Sequence, residues 1–407
     1  MPSSIGCAKR TRILELAEKL APALRQRAIE ADKLRRMPDQ TIVDLVDSRM
    51  HRVCQPARFG GSELPWDALC KMGLMLGRGD GSQAWVAVVY AAMGHMTALF
   101  EDQTQNEVWQ GDGGALVAGS LVPSGNRVEK VAGGFRLTGS WAYTSGVHHA
   151  HWNILGEMAE GTDSGAGKRE HMYFMVPASD YRIEDDWFAA GLAGTGSASV
   201  VLDNLFVPTY RTLLNRDVAL GRSPGARVNL APVYRMPMFG FAQQSLASVP
   251  IGVGLGMVED FKSYLRAKLA SPGAVQATLS AAGPAPWFAS PPAAGFELLG
   301  ARLAEASAGM HAASLLLLDA ARTMMQQLES GATLGEADAA HSLRGSGYAL
   351  KLVKDNAARM LEACGGQGLN LALPIQRGFR DVFAASNHAS LGWDRSALRY
   401  GQFALRG

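Results

Sequence analysis

The hydrophobic period of this chain changes twice, near Ala115 and near Pro208, and those changes divide its 407 residues into three stretches of different local structure. Before Ala115 the period is helical. Ile13, Leu16, Leu20 and Leu24 recur at three- and four-residue spacing with Lys19, Arg25 and Arg27 between them, which puts the apolar residues on one helical face. Further helices are predicted over Gln40–Ser48, Trp66–Arg78 and Ser82–Phe100, with loop chemistry at Pro56-Ala57-Arg58-Phe59-Gly60-Gly61. From Ala115 to Pro208 the chain alternates in short runs broken by glycine: Gly134–Trp141, His171–Pro177 and Ser199–Asp203. That is the pattern of antiparallel strands. The helical period then returns, with Leu350, Val353, Ala357, Met360 and Cys364 on one face and Gly365-Gly366 as a stop. Helices, strands, helices predict an α+β chain with a sheet domain between helical layers. The expected domains are an N-terminal helical domain over 1–114, a middle antiparallel β-domain over 115–210 and a C-terminal helical bundle over 211–407. The Ala/Pro-rich stretch Ala281–Ala294 reads as a loop.

A formal net charge of +2 gives no reason to expect nucleic acid or an anionic membrane as a partner. The longest apolar run, Ala84–Phe100, contains Gly94 and His95 and falls short of the roughly 20 residues a membrane span needs; it predicts a buried helix. Residues 1–12 carry no apolar signal core. The cysteines Cys7, Cys54, Cys70 and Cys364 form no Cys-x-x-Cys pair, so no disulfide framework is expected and a cytoplasmic location is.

The densest chemistry is near the C-terminus, in Arg377-Gly378-Phe379-Arg380-Asp381-Val382-Phe383-Ala384-Ala385-Ser386-Asn387-His388-Ala389-Ser390, with Gly365-Gly366-Gln367-Gly368 upstream. Three glycine- and hydroxyl-rich loops precede it: Ala118–Pro123, Gly139–Gly146 and Gly191–Ser197. Glycines let a backbone approach a ring closely, and hydroxyls bond its polar edge. Together these motifs resemble the flavin site of the acyl-CoA dehydrogenase superfamily, whose fold is an N-terminal helical domain, a middle β-domain and a C-terminal four-helix bundle. In the dehydrogenases the segment that begins with the Arg-Asp pair runs on to a Tyr-Glu-Gly-Thr motif, whose glutamate is the base. Here Asn387-His388-Ala389 stands in its place. The alternative position for that base is also empty, since no Asp or Glu lies between Asp217 and Glu259. The Arg-x-x-Phe-Gly segment that holds the adenosine end of FAD is missing after Tyr264–Lys268.

Trp141-Ala142-Tyr143-Thr144-Ser145-Gly146-Val147-His148-His149-Ala150-His151-Trp152 narrows the resemblance. It is similar to the Ser-Gly-Val-x-His/Asp pattern of the two-component (group D) flavin-dependent monooxygenases, a branch that includes the oxygenase component of 4-hydroxyphenylacetate 3-hydroxylase. The resemblance implies a homotetrameric oxygenase using FMNH2 or FADH2, supplied by a separate NAD(P)H:flavin reductase. With O2 it would form a flavin hydroperoxide and hydroxylate a small, aromatic molecule. Flavin N- and S-oxygenases share the frame, and an acyl-CoA dehydrogenase or oxidase with an unrecognised base is the rival reading. By position His388 would act beside the reactive face of the flavin, Ser145 would hold its ring, and His95 would face the substrate. Ser120, Trp141, Tyr143, Thr144, Ser145, Gly194, Thr195, Ser197, Gly365, Gly366 and Gln367 would hold the cofactor. No metal is expected: read as a strand, His149 and His151 share a face while His148 points away, and no carboxylate or cysteine lies nearby in sequence.

Overall fold

A computed structural model describes residues 4–161, 169–270 and 296–406; the Ala281–Ala294 stretch lies outside them. The first helical layer contains α1 (Ser4–Leu34), α2 (Asp39–Asp47), α3 (Trp66–Gly77), α4 (Gly81–Thr97) and α5 (Asp102–Val108). Every residue of α4 is buried, as its unbroken apolar run predicts. It begins at Gly81 rather than Ser82, because the Asp80 carboxylate accepts from the Gln83 N–H at 2.9 Å and caps the first turn. No helix among the described residues is long and apolar enough to cross a membrane.

Among the described residues eight strands follow: β1 (Val117–Ser120), β2 (Arg127–Val131), β3 (Gly134–Trp141), β4 (Trp152–Glu160), β5 (Arg169–Pro177), β6 (Arg182–Ile183), β7 (Val200–Pro208) and β8 (Thr212–Leu214). They form two four-stranded sheets, in the orders β1-β4-β5-β8 and β2-β3-β7-β6. The sheets enclose a core of Phe135, Leu137, Trp141, Leu155, Phe174, Val200 and Leu202. All pairings are antiparallel but one. β1 runs parallel to β4, with Val117 opposite Trp152, because the chain crosses to the second sheet through β2 and β3 before it returns. The residues His148 and His149 are not on a strand: Gly146, at φ +77°, turns the backbone into a 3-10 turn over Val147–His149, and His151 precedes β4.

After α6 (Asn215–Ala219) come the C-terminal helices α7 (Met238–Ala270), α8 (Phe296–Glu329), α9 (Glu336–Ala363), α10 (Pro374–Ser386) and α11 (Trp393–Ala404). Leu350, Val353, Ala357, Met360 and Cys364 are buried along α9, as their spacing predicts. The bundle joins the first layer where α7 crosses α3. A Cβ on Gly252 would fall 2.4 Å from the Leu74 carbonyl oxygen, and one on Gly77 2.6 Å from that of Val249, so these backbones meet only because both positions lack a side chain.

A buried carboxylate shapes the loop between β1 and β2. Glu157, on β4, is fully buried and accepts from the backbone N–H groups of Ser124, Gly125, Asn126 and Met158 at 2.9–3.3 Å. Losing the acceptor of these four hydrogen bonds would leave their donors unpaired. Glu157→Ala is expected to destabilise the protein by about 3 kcal/mol. Thermal denaturation checks this; a melting temperature equal to that of the wild type would refute it.

Candidate active site

Two of the three loops identified in the sequence meet at the N-terminal half of α4, and the first is tied to the second. The loop after β3 brings in Ser145, and the loop before β7 brings in Thr195 and Ser197. Their hydroxyls form a chain: Thr195 Oγ1 to Ser197 Oγ at 2.7 Å, and Ser197 Oγ to Ser145 Oγ at 2.8 Å. Trp85, on α4, donates its indole N–H to Ser145 Oγ at 3.2 Å. The other end of the chain is anchored by Thr195 Oγ1, which donates to the Leu192 carbonyl at 2.7 Å. Helix α4 also fixes both loops through backbone contacts. Ser82 Oγ accepts from the Gly194 N–H at 3.2 Å, and the Tyr90 hydroxyl donates to the Gly146 carbonyl at 2.6 Å. The Gly146 N–H in turn donates to the Thr195 carbonyl at 2.9 Å, which ties the two loops together. On the first loop Ser120 Oγ donates to the Ala142 carbonyl at 2.7 Å.

His388 joins this cluster from the end of α10. Its ring meets the Trp85 indole edge-on at 5.7 Å between centroids, so one tryptophan touches both Ser145 and His388. The backbone N–H of Ser390, which can only donate, points at His388 Nδ1 at 3.3 Å, and Ser390 Oγ lies 2.8 Å from the same nitrogen. Nδ1 is therefore the acceptor and the ring proton sits on Nε2. Burial pushes the His388 pKa down to about 4, so the ring is neutral at physiological pH. The site thus presents hydroxyls and a neutral imidazole N–H donor. Tyr143 adds an exposed aromatic surface: its side chain is 73% accessible, its backbone is left-handed at φ +62°, and its ring stands edge-on to Trp187 at 6.2 Å.

Other expected site residues lie elsewhere. His95 is not brought into the cluster. It lies ten residues along α4 from Trp85, about 15 Å at the rise of a helix. It is fully buried, with Nε2 2.8 Å from the Val233 carbonyl oxygen, and packs against Trp66 and Tyr234. Since a carbonyl can only accept, Nε2 carries the proton. Burial lowers its pKa to about 4 as well. Trp141 is fully buried between the sheets and donates to the Gly156 carbonyl at 3.1 Å. Thr144 is buried and turned back on the Trp141 carbonyl at 3.3 Å. Gly365, Gly366 and Gln367 form a 3-10 turn at the far end of α10 from His388, about 20 Å away along the helix axis; there Tyr264 donates to Gln367 Oε1 at 3.2 Å. Sequence reasoning missed Trp85, Ser82 and Tyr90. The available signal was that they are among the few polar-tipped side chains of a mostly apolar helix, since buried polar atoms must find partners.

Residues 245–393 match the family model described as acyl-CoA dehydrogenase, C-terminal domain. The chain is 31% identical to the oxygenase component of an FADH(2)-dependent resorcinol hydroxylase from Rhizobium sp. (strain MTP-10005), covering 97% of this chain and 94% of that protein. It is 28% identical to the oxygenase component of p-hydroxyphenylacetate 3-hydroxylase from Acinetobacter baumannii, covering 96% and 88%. Among solved structures it superposes on the 3-HSA hydroxylase of Rhodococcus sp. RHA1 with a TM-score of 0.87 at 27% identity, over 97% of both chains.

The depressed pKa of His388 has a checkable sign. In the unfolded chain a histidine takes up its proton near pH 6.5, whereas the folded site refuses it down to about 4. Between those values the unfolded state binds more protons, so this residue costs stability as pH falls. His388→Gln removes that cost. The melting temperature of the variant relative to wild type is expected to rise from pH 7 to pH 5; a constant difference would show that His388 is not held neutral.

Proposed function

We propose a function from one premise: the chain belongs to the family of oxygenase components of flavin-dependent monooxygenases, on the acyl-CoA dehydrogenase fold. It uses reduced flavin and O2 to hydroxylate a small aromatic molecule, and a separate flavin reductase supplies the flavin. The observation that carries this reading is His388, a neutral histidine with its proton on Nε2, next to Ala389, which stands where the superfamily's dehydrogenases carry a carboxylate base. Dehydrogenation needs a group that accepts a proton from carbon; a buried N–H donor serves a reaction that develops negative charge instead.

The groups present fit a flavin. Tyr143 and Trp187 offer an aromatic surface for a planar ring. Ser145 and Ser197 offer hydroxyls to its polar edge. Reduced flavin, when bound, supplies the electrons that activate O2. In this reading Ser145 orients the ring and Trp85 fixes both Ser145 and His388. His388 donates from Nε2 to negative charge developing beside it, while Ser120 braces the loop that carries Tyr143. Gly194 and Thr195 act through the backbone of the third loop. His95 holds the Val233 turn. Gly365, Gly366 and Gln367, remote within one chain, would reach a flavin only from a neighbouring copy. We accordingly propose a homotetramer. The unpaired cysteines Cys7, Cys54, Cys70 and Cys364 support a cytoplasmic location.

The purified protein is expected to be nearly colourless and to bind reduced flavin more tightly than oxidised flavin. With a generic NAD(P)H:flavin reductase it should hydroxylate a phenol. Tightly bound yellow FAD that an acyl-CoA bleaches would refute the assignment. His388→Ala should keep the fold and divert reducing equivalents to hydrogen peroxide. Loss of one such donor typically costs roughly a hundred- to thousandfold in the step it serves. Peroxide released per NADH consumed is the readout, and an unchanged ratio would remove His388 from the site.

A further inference from the structure

The pair Arg380-Asp381 marks a motif in the sequence, yet neither residue belongs to the cluster around Ser145. In the structure both reach the third loop from behind. Arg380 Nη1 donates to the Ala190 carbonyl at 2.7 Å, and Asp381 Oδ1 accepts from the Leu192 N–H at 2.7 Å. Gly191, between them, lies directly on α10: a Cβ there would fall 2.1 Å from the Arg380 carbonyl oxygen. Three successive loop residues are therefore stitched to one turn of helix. The last residue of the stitch is under strain, because Leu192 sits at φ +52°, a left-handed conformation that non-glycine residues seldom adopt. Its own carbonyl is the anchor of the Thr195–Ser197–Ser145 hydroxyl chain.

Asp381 is buried, at 2% exposure. Its second oxygen rests on the first turn of α4, so close that a Cβ on Gly81 would fall 2.6 Å from it. Asp80, the cap of that helix, lines the same cavity of about 30 Å³, and its Oδ2 is buried without a hydrogen-bond partner. We propose that Asp381 is a positioning residue: it clamps the 190–197 loop between α10 and the first turn of α4, and so sets the hydroxyls of Ser197 and Ser145. The clamp rests on geometry alone; its consequence for flavin rests on the site assignment proposed above.

Asp381 holds the loop as the neutral acid. Burial, and next the charge of Asp80, hold its carboxyl far above the usual carboxylate range, and burial raises Asp80 too. Around them stand Asp32 and Arg25 on α1, Asp260 on α7, and Arg377 and Arg380 on α10. Of these cations Arg377 comes within 3.9 Å of Asp80, while Arg380 is committed to Asp32 at 3.1 Å. A carboxylic acid needs only one oxygen for the Leu192 N–H. Asparagine supplies the same acceptor, with an amide N–H₂ in place of the acid O–H.

Hydrogen–deuterium exchange of the full chain without flavin, over peptides spanning 189–199, tests the clamp; reduced-flavin titration tests its consequence. Asp381→Ala is expected to speed exchange at Leu192 and weaken reduced-flavin binding, each about tenfold. Asp381→Asn should stay within about threefold of wild type in both, since it keeps the acceptor. Gly191→Ala, which pries the loop from α10 without touching a carboxyl, should loosen the same peptides and serves if Asp381→Ala does not fold. Wild-type exchange in Asp381→Ala, or in Gly191→Ala should it be needed, would overturn the clamp. A loosened Asp381→Asn would overturn the neutral acid. A loosened loop with unchanged flavin affinity would overturn the positioning role. A wild-type protein that binds no reduced flavin, with the loop still loosened in Asp381→Ala, would sink the flavin reading and leave the clamp standing.

Discussion

A fully buried helix must satisfy its polar side chains from its neighbours, and in this protein that constraint builds the site. α4 has no solvent-facing side, so most of its polar groups select fixed partners. Asp80 takes the helix's own N–H at Gln83. Gln83 takes the Leu24 carbonyl and the Thr41 hydroxyl. Ser82, Trp85 and Tyr90 take the two loops of the β-region, and His95 takes Val233. A buried donor or acceptor left alone costs about 1–3 kcal/mol. Each contact therefore fixes a loop in register as well as adding stability. The same pressure that keeps an apolar helix in the core makes its few polar side chains the posts on which Ser145, Gly194 and Gly146 hang.

Behind those posts sits a layer of buried carboxyls with different partners. Glu157 collects four backbone N–H groups. Asp80 and Asp381 line one small cavity, where burial raises both carboxyls toward the neutral form and Asp80 adds to the shift of Asp381. Glu157 thus organises the loop that follows Ser120, while Asp381, beside Asp80, braces the loop that carries Ser197. The two supports differ because one faces a fan of N–H donors and the other lies beside a second carboxyl.

The order of helices and strands was legible because period survives folding. Gly134–Trp141 appears unchanged as β3, His171–Pro177 lies within β5, and the apolar run from Ala84 to Phe100 forms α4 up to Thr97. Reading a strand through His148–His151 failed because Gly146, in the left-handed region, starts a turn there, and periodicity in so short a stretch does not register a turn. At the site, Ser145, Thr195, Ser197 and His388 stood out as chemistry-bearing residues in loop-forming contexts. Trp85 did not, since on an apolar helix a tryptophan is indistinguishable from core until its N–H is seen to reach a serine sixty residues away. For His95 the sequence offered a reactive group on a buried helix, and the structure adds that its Nε2 lies against the Val233 carbonyl.

By itself the sequence determined the three-part architecture, the missing carboxylate near the C-terminus and the family to which these features belong, because each depends on residues close together in the chain. Only the tertiary structure decided which side chains meet. The contact of Trp85 with both Ser145 and His388 joins three separate segments, as does the clamp of Asp381 on Leu192 beside Asp80. Such contacts depend on how closely two backbones can approach and which polar atoms are left to be satisfied when they do, and neither is written at any one position of the chain.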